Sequence, residues 1–203
     1  MRIPVSLVRE LQRHKQIDGF TNDYDALCTR DANGKSYANT IAGCMDIAYS
    51  LNELDIPYCI IGGLAVAFHV HQTNHKEFLD WRGTQDIDIL VNKKSAECVL
   101  KSAGYEFRHF LPNMPGSLNG VYEYAKDENG ESLSLGLRET VHDRHNSDIA
   151  KKLLRSATSI DLYSVPVRVP MIRDLVAMKR HANRPKDRSD IKLLKTFYPG
   201  VKV

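Results

Sequence analysis

The segment Arg82-Gly83-Thr84-Gln85-Asp86-Ile87-Asp88-Ile89-Leu90-Val91 constrains this chain more than any other. Ile87, Ile89, Leu90 and Val91 are strand formers, so the segment reads as a short buried strand opened by Asp86. Side chains alternate between faces along a strand, which sends Asp86 and Asp88 to the same side. Two carboxylates on a mostly apolar strand are costly to desolvate unless a cation lies between them. A hard divalent cation such as Mg²⁺ (or Mn²⁺) takes oxygen ligands from one or two carboxylates together with substrate phosphates. The pair therefore points to metal-assisted phosphate chemistry.

The 203 residues suffice for one compact domain with an appended segment, and 42% hydrophobic with 26% charged residues is ordinary for a globular protein. No apolar run approaches the roughly 18 residues that span a bilayer. Charges at Arg2, Arg9 and Glu10 interrupt the start too early for a signal-peptide core, so the expected location is the cytoplasm, with no membrane partner. Cys28, Cys44, Cys59 and Cys98 form no C-x-x-C pair and are expected to be buried small hydrophobes. The net charge of +3 hides an asymmetry: from Arg168 to Val203 ten Lys/Arg face three Asp/Glu, a balance of +7, which leaves −4 for the rest. A basic C-terminal segment beside an acidic body suits a polyanionic ligand, or is simply a solvated basic helix.

Apolar periodicity predicts helices over residues 4–15, Thr40–Leu54 (with Thr40 as cap), Leu64–Val70, Ser95–Ser102, Asp148–Leu154, Ile172–Ala182 and Lys186–Phe197. Strands are expected at Tyr58–Ile61, Asp86–Val91, Tyr105–Leu111 and Val165–Val169, with a further one at Ser159–Leu162. Asn129-Gly130 sets up a hairpin between Val121–Tyr124 and Ser132–Leu135. Residues 19–37, 71–85 and 112–119 are polar, or rich in Pro and Asn, and read as loops. Strands and helices interleave, so the class is α/β (α+β), with a small mixed sheet and flanking helices. Residues 1–40 read as an N-terminal helix-and-loop extension and 41–203 as one domain ending in a basic helical segment.

The order strand, Gly62-Gly63, helix, loop, Asp-x-Asp strand has a physical logic. Glycines at a strand-to-helix turn remove Cβ atoms and let a phosphate approach backbone N–H groups at a helix N-terminus. Carboxylates on the next strand then hold a metal that bridges those phosphates. A rival use of Asp-x-Asp, that of haloacid-dehalogenase-type phosphatases, expects the acids after an apolar strand. Here the apolar run follows them.

Ile61-Gly62-Gly63-Leu64-Ala65 with Thr84-Gln85-Asp86-Ile87-Asp88-Ile89-Leu90 resembles the signature of the nucleotidyltransferase superfamily with the DNA polymerase β-like core. Asp174-Leu175-Val176-Ala177-Met178-Lys179, Arg184-Pro185-Lys186-Asp187 and Asp190-Ile191 look like the tail of minimal bacterial nucleotidyltransferase-like proteins, including those of toxin–antitoxin and phage-defence systems. The resemblance covers roughly residues 41 to 195. It implies an NTP held at Gly62 and Gly63, Mg²⁺ or Mn²⁺ at the catalytic Asp86 and Asp88, and transfer of a nucleotidyl group to a hydroxyl on RNA, protein or a small molecule. Thr84, Lys179 and Arg184 carry over as nucleotide contacts, with Lys186 a weaker candidate. The family's third acid sits on a later strand. The matching segment, Leu133-Ser134-Leu135-Gly136-Leu137, offers Ser134 there, and Asp161 is the substitute in reach of the pattern. That departure opens a second reading: a degraded nucleotidyltransferase-fold module that binds a partner protein or nucleic acid, as in a toxin–antitoxin pair. His69, His71 and His75 read as solvated or capping side chains before a zinc site, and Asp187 as a helix cap. Arg138 and Glu139, with the 142–145 cluster, read as loop chemistry.

Overall fold

The computed structural model describes residues 38–73, 84, 86–112, 120–128, 131–141, 148–162 and 164–200. The expected helix over 4–15 and the loop over 19–37 lie outside them, as do Cys28, His75 and the 142–145 cluster. The elements run α1 (Ala38–Glu53), β1 (Tyr58–Ile61), α2 (Gly62–Thr73), β2 (Asp86–Val91), α3 (Lys93–Ser102), β3 (Glu106–Leu111) and β4 (Val121–Glu128). They continue with β5 (Glu131–Arg138), α4 (Ala150–Ser156), β6 (Thr158–Leu162), β7 (Val165–Val169), α5 (Ile172–Ala182) and α6 (Pro185–Phe197). No helix among the described residues is long and apolar enough to cross a membrane.

Five strands form a mixed sheet in the order β1-β2-β5-β4-β3, and β6-β7 make a separate two-stranded sheet. Within the five, β2 and β5 run parallel and the other pairs antiparallel. Alternation in the three central strands assigns the faces. Ile87, Ile89 and Val91 of β2, with Leu133, Leu135 and Leu137 of β5 and Tyr124 of β4, join the main core together with Ile41, Met45 and Leu51 of α1. The opposite face carries Asp86, Asp88 and Leu90 beside Ser134, Gly136 and Arg138. Among the described residues, the β1 end of that face is covered where Cys59, Ile61 and Leu90 pack on Ala150 and Leu153 of α4. Asp86 is exposed and Asp88 half-buried on the same face.

Side-chain contacts explain where the element ends differ from expectation. Helix α1 begins ahead of Thr40, so that residue is a buried helix position and not a cap. Asn92 caps α3 by accepting from the Ser95 N–H at 3.2 Å, and Glu139 Oε1 accepts from the Lys93 N–H at 2.9 Å, which starts the helix before Ser95. Gly62 and Gly63 stand at the very start of α2, the chain turning from strand to helix at Gly62 with its positive φ. His69 and His71 are buried on that helix, and His69 Nε2 lies 2.8 Å from the Pro170 carbonyl oxygen. Burial pulls the His69 imidazole below its ordinary pKa, the Pro170 bond opposing it. Cys44 and Cys59 are buried as expected and burial pushes both thiols up; Cys98 is exposed. The β6-β7 hairpin is stitched to the main body through Tyr58, whose hydroxyl donates to Pro166 O at 3.2 Å, and Asn52, whose Nδ2 donates to the same oxygen at 2.7 Å.

Leu135 lies fully buried at the centre of β5, in register with Ile87 on one side and Tyr124 on the other. Leu135→Ala is expected to cost about 2–5 kcal/mol of stability, read as a lowered midpoint in urea denaturation.

Candidate active site

An open cleft lies on the acidic face of β2. Ile61, Gly62 and Asp88 form one wall and Arg138 and Val141 the floor beside them. Leu175, Met178, Lys179 and Ala182 of α5, with Arg184 and Asp187 at the start of α6, form the other wall. Antiparallel pairing sets Ile61 opposite Asp88, so the chain turns from β1 into α2 directly over that carboxylate. Gly62 adopts a positive φ of 72°, a conformation that side chains oppose. A Cβ there would lie 2.5 Å from Asp88 Oδ2. Glycine is thus required twice over, by the backbone and by the acid beneath it. On the other flank Gly136 is in register with Asp88, where a Cβ would lie 3.0 Å from Oδ1.

The cationic wall depends on a turn at Asn183. This residue ends α5 in the left-handed conformation at φ 49° and its N–H donates to Lys179 O. Pro185 then opens α6, which folds back against α5. Asp187 and Asp190, one helical turn apart, both meet the buried Lys179: Nζ lies 2.6 Å from Asp190 Oδ2 and 3.4 Å from Asp187 Oδ1. Arg184 Nε donates to Asp187 Oδ2 at 2.7 Å, and the Arg184 N–H donates to the same oxygen at 3.1 Å. Burial pushes the Asp187 carboxyl up, but the Arg184 hydrogen bonds and the Lys179 and Arg184 charges outweigh it and hold its pKa below 3.8. The same bond to Asp187 raises the Arg184 guanidinium, and Asp88 and Asp190 add to the rise through their charge.

Of the residues singled out in the sequence, the fold gathers Gly62, Asp88, Lys179 and Arg184 around one cleft. Asp86 is exposed at the head of β2, on the same face as Asp88. Gly63 is buried in the first turn of α2, and Thr84 is half-buried ahead of β2. Lys186 is exposed on α6. Ser134 stands in register with Asp86, where the missing third acid was sought. Asp161 does not replace it: its Oδ1 accepts from Ser164 N–H at 2.7 Å and so closes the β6-β7 turn on the other sheet.

Arg138 is a correction. It is no loop residue but the last position of β5, and its Nη2 lies 3.4 Å from Asp88 Oδ1. The signal was its place in the alternation Ser134-Gly136-Arg138, the polar face of a strand whose other face is leucine. Asp187 and Asp190 were legible as a helical pair, but their partner Lys179 becomes apparent only once α6 folds back on α5.

Two carboxylates on one strand face, with glycine clearance over Asp88 Oδ2, fit a hard divalent cation that draws its remaining ligands from phosphate and water. No group of three or more His, Cys, Asp or Glu side chains suited to a metal occurs among the described residues.

The mixed α/β sheet, with Gly62 passing over the Asp-x-Asp strand, is nucleotidyltransferase-like in fold. The antibiotic-resistance factor ANT(2'')-Ia in solution superposes with a TM-score of 0.52 at 14% identity, over 78% of this chain and 83% of its own. Lincomycin-bound LnuA, a lincosamide antibiotic adenylyltransferase, gives 0.47 at 16% over 72% and 90%. An antigenic nucleotidyltransferase-like protein from Paracoccidioides brasiliensis gives 0.48 at 16% over 77% and 73%. At such identities the likeness is one of fold. No protein-family model and no curated protein sequence matches the chain.

Two outcomes follow from the Lys179 cluster. Lys179→Met takes the ammonium from two buried carboxylates, of which Asp187 keeps Arg184, and is expected to cost about 3–5 kcal/mol, measured by chemical denaturation. A carboxyl whose folded pKa is depressed contributes stability above its ordinary value of 3.8, and that contribution is lost as pH falls through the depressed one. Asp187→Asn therefore flattens the fall in melting temperature on acidification below that value.

Proposed function

We propose that this chain binds a nucleoside triphosphate together with Mg²⁺ or Mn²⁺ and transfers a nucleotidyl group to a hydroxyl acceptor, displacing pyrophosphate. The observation that carries the reading is the cleft in which Asp88, facing the same way as Asp86, meets Gly62 at the start of α2 and the cationic turn between α5 and α6. Asp86 and Asp88 would hold the cation. When bound, such an ion neutralises charge on the attacking and leaving oxygens. The start of α2 offers backbone N–H groups and the positive end of a helix dipole to a phosphate, with no side chain at Gly62 in the way. Arg184, bound to Asp187 yet partly exposed, presents its remaining donors to the triphosphate. Lys179 contributes to the same wall and fixes α6, and with it Arg184, against α5. Catalysis in such a site is mainly positioning and charge stabilisation. The acceptor is RNA, a protein or a small molecule, the setting is the cytoplasm, and residues 1–40 form an extension to this catalytic core.

The test is binding and turnover of the four NTPs with Mg²⁺ or Mn²⁺. Asp86→Asn, at an exposed position, is expected to leave the melting temperature unchanged while lowering pyrophosphate release by about a hundredfold or more. Unchanged release removes Asp86 from the site. One observation favours a second reading, the degraded partner-binding module: the side chain in register with Asp86 is Ser134 and not an acid. Under that reading only Ser134→Asp shows transfer; robust turnover by the unaltered chain rejects it.

A further inference from the structure

The acid at the centre of the cleft already has a cation. Gly136 stands directly opposite Asp88 in the parallel β2–β5 register and has no side chain to fill the space beside Oδ1. Arg138, two residues further along the same face, reaches into that space and places Nη2 3.4 Å from Oδ1. The contact is single and long for a guanidinium–carboxylate pair, which at its best is a two-pronged fork of shorter bonds. The side chain is nonetheless well covered, at 12% exposure, and its Nε is buried with no hydrogen-bond partner. A buried guanidinium with an unused donor is poorly satisfied by Asp88 alone. Arg184 adds a second positive charge that acts on the same carboxylate.

These facts bear on how a divalent cation would enter. Asp88 is one of two carboxylates available to it, and the cation must displace or sit beside a guanidinium to use it. Two neighbouring positive charges raise the cost of that step in a half-buried site. A polyphosphate changes the balance, because its oxygens add negative charge and are matched partners for the released guanidinium.

We propose that Arg138 is a specificity-determining residue that keeps free divalent cations off Asp88, so that the metal is taken up only with a polyphosphate, to which the guanidinium then turns. The proposal rests on the nucleotide-binding reading for the identity of the polyphosphate, but its first half concerns the metal alone.

The experiment is a titration of the full chain with Mn²⁺ in the absence of nucleotide, following the loss of the free-ion electron paramagnetic resonance signal. Arg138→Gln is expected to bind Mn²⁺ at least about tenfold more tightly than the unaltered chain, the guanidinium being a full charge in a partly buried site. Arg138→Met, which keeps the apolar stem, should do the same and serves if the glutamine variant does not fold. Arg180→Gln removes an exposed charge from α5 and should leave the affinity unchanged. Adding Asp88→Asn to Arg138→Gln should abolish the gain. Equal or weaker Mn²⁺ binding by both Arg138 variants overturns the proposal, as does a gain that survives Asp88→Asn. Failure of the unaltered chain to bind any NTP with Mn²⁺ would count against the nucleotide reading and leave the Mn²⁺ comparison standing.

Discussion

Everything in the cleft is arranged around the carboxylate of Asp88, which is hemmed in by two backbones that carry no side chain. Gly62 passes over one oxygen and Gly136 lies beside the other. Both approaches are set by strand pairing: antiparallel to β1 on one side, parallel to β5 on the other. The register is in turn held by the alternation of isoleucine and acid in β2. A slip by one residue would bury Asp86 and Asp88 in the main core and expose Ile87 and Ile89. The hydrophobic effect that buries one face of this strand thus also aims its acids.

The opposite wall is built on a different principle. Helices α5 and α6 are joined by a left-handed Asn183 and a proline, a sharp reversal that sets Asp187 and Asp190 against Lys179. Three charges buried together are costly to desolvate, and they are tolerable only because each is paired. What the arrangement secures is position. Arg184, tied by its backbone and its guanidinium to Asp187, is carried to the mouth of the cleft along with the start of α6. Asp88 then shares its surroundings with Arg138, Lys179 and Arg184, the last two from the C-terminal segment whose +7 balance prefigures positive charge without locating it.

Much of the fold was legible beforehand where local signals were strong. Tyr58–Ile61, Asp86–Val91 and Val165–Val169 are short β-branched or apolar runs with clear stops, and each appears at its expected bounds. Ile172–Ala182 likewise follows its helical period and appears at its expected bounds. The start of α3 was placed late: Asn92 caps it locally, and Glu139, far along the chain, accepts from the Lys93 N–H, a contact no local pattern carries. Gly62 and Gly63 were expected to form a turn, and Gly62 keeps the positive φ of one at the very start of a helix whose next residues, Leu64 to Phe68, are fully buried. Arg138 was the main misreading of the site, since its meaning lies entirely in what β5 is paired with.

By itself the sequence determined the alternation of β2, the pairing of Asp86 with Asp88 on one face, and the glycine turn ahead of them, because side-chain direction along a strand has a period of two. It also placed the break between α5 and α6 at Arg184-Pro185. Only the tertiary structure decided that Arg138 faces Asp88, that Lys179 is held by Asp187 and Asp190, that Asp161 closes a turn on another sheet, and that Ser134 stands beside Asp86. Arg138 meets Asp88 and Ser134 meets Asp86 through the alignment of strands far apart in the chain, set by which faces must be buried together. The Lys179 and Asp161 contacts are shorter in sequence and depend on how the turns between the partners fold.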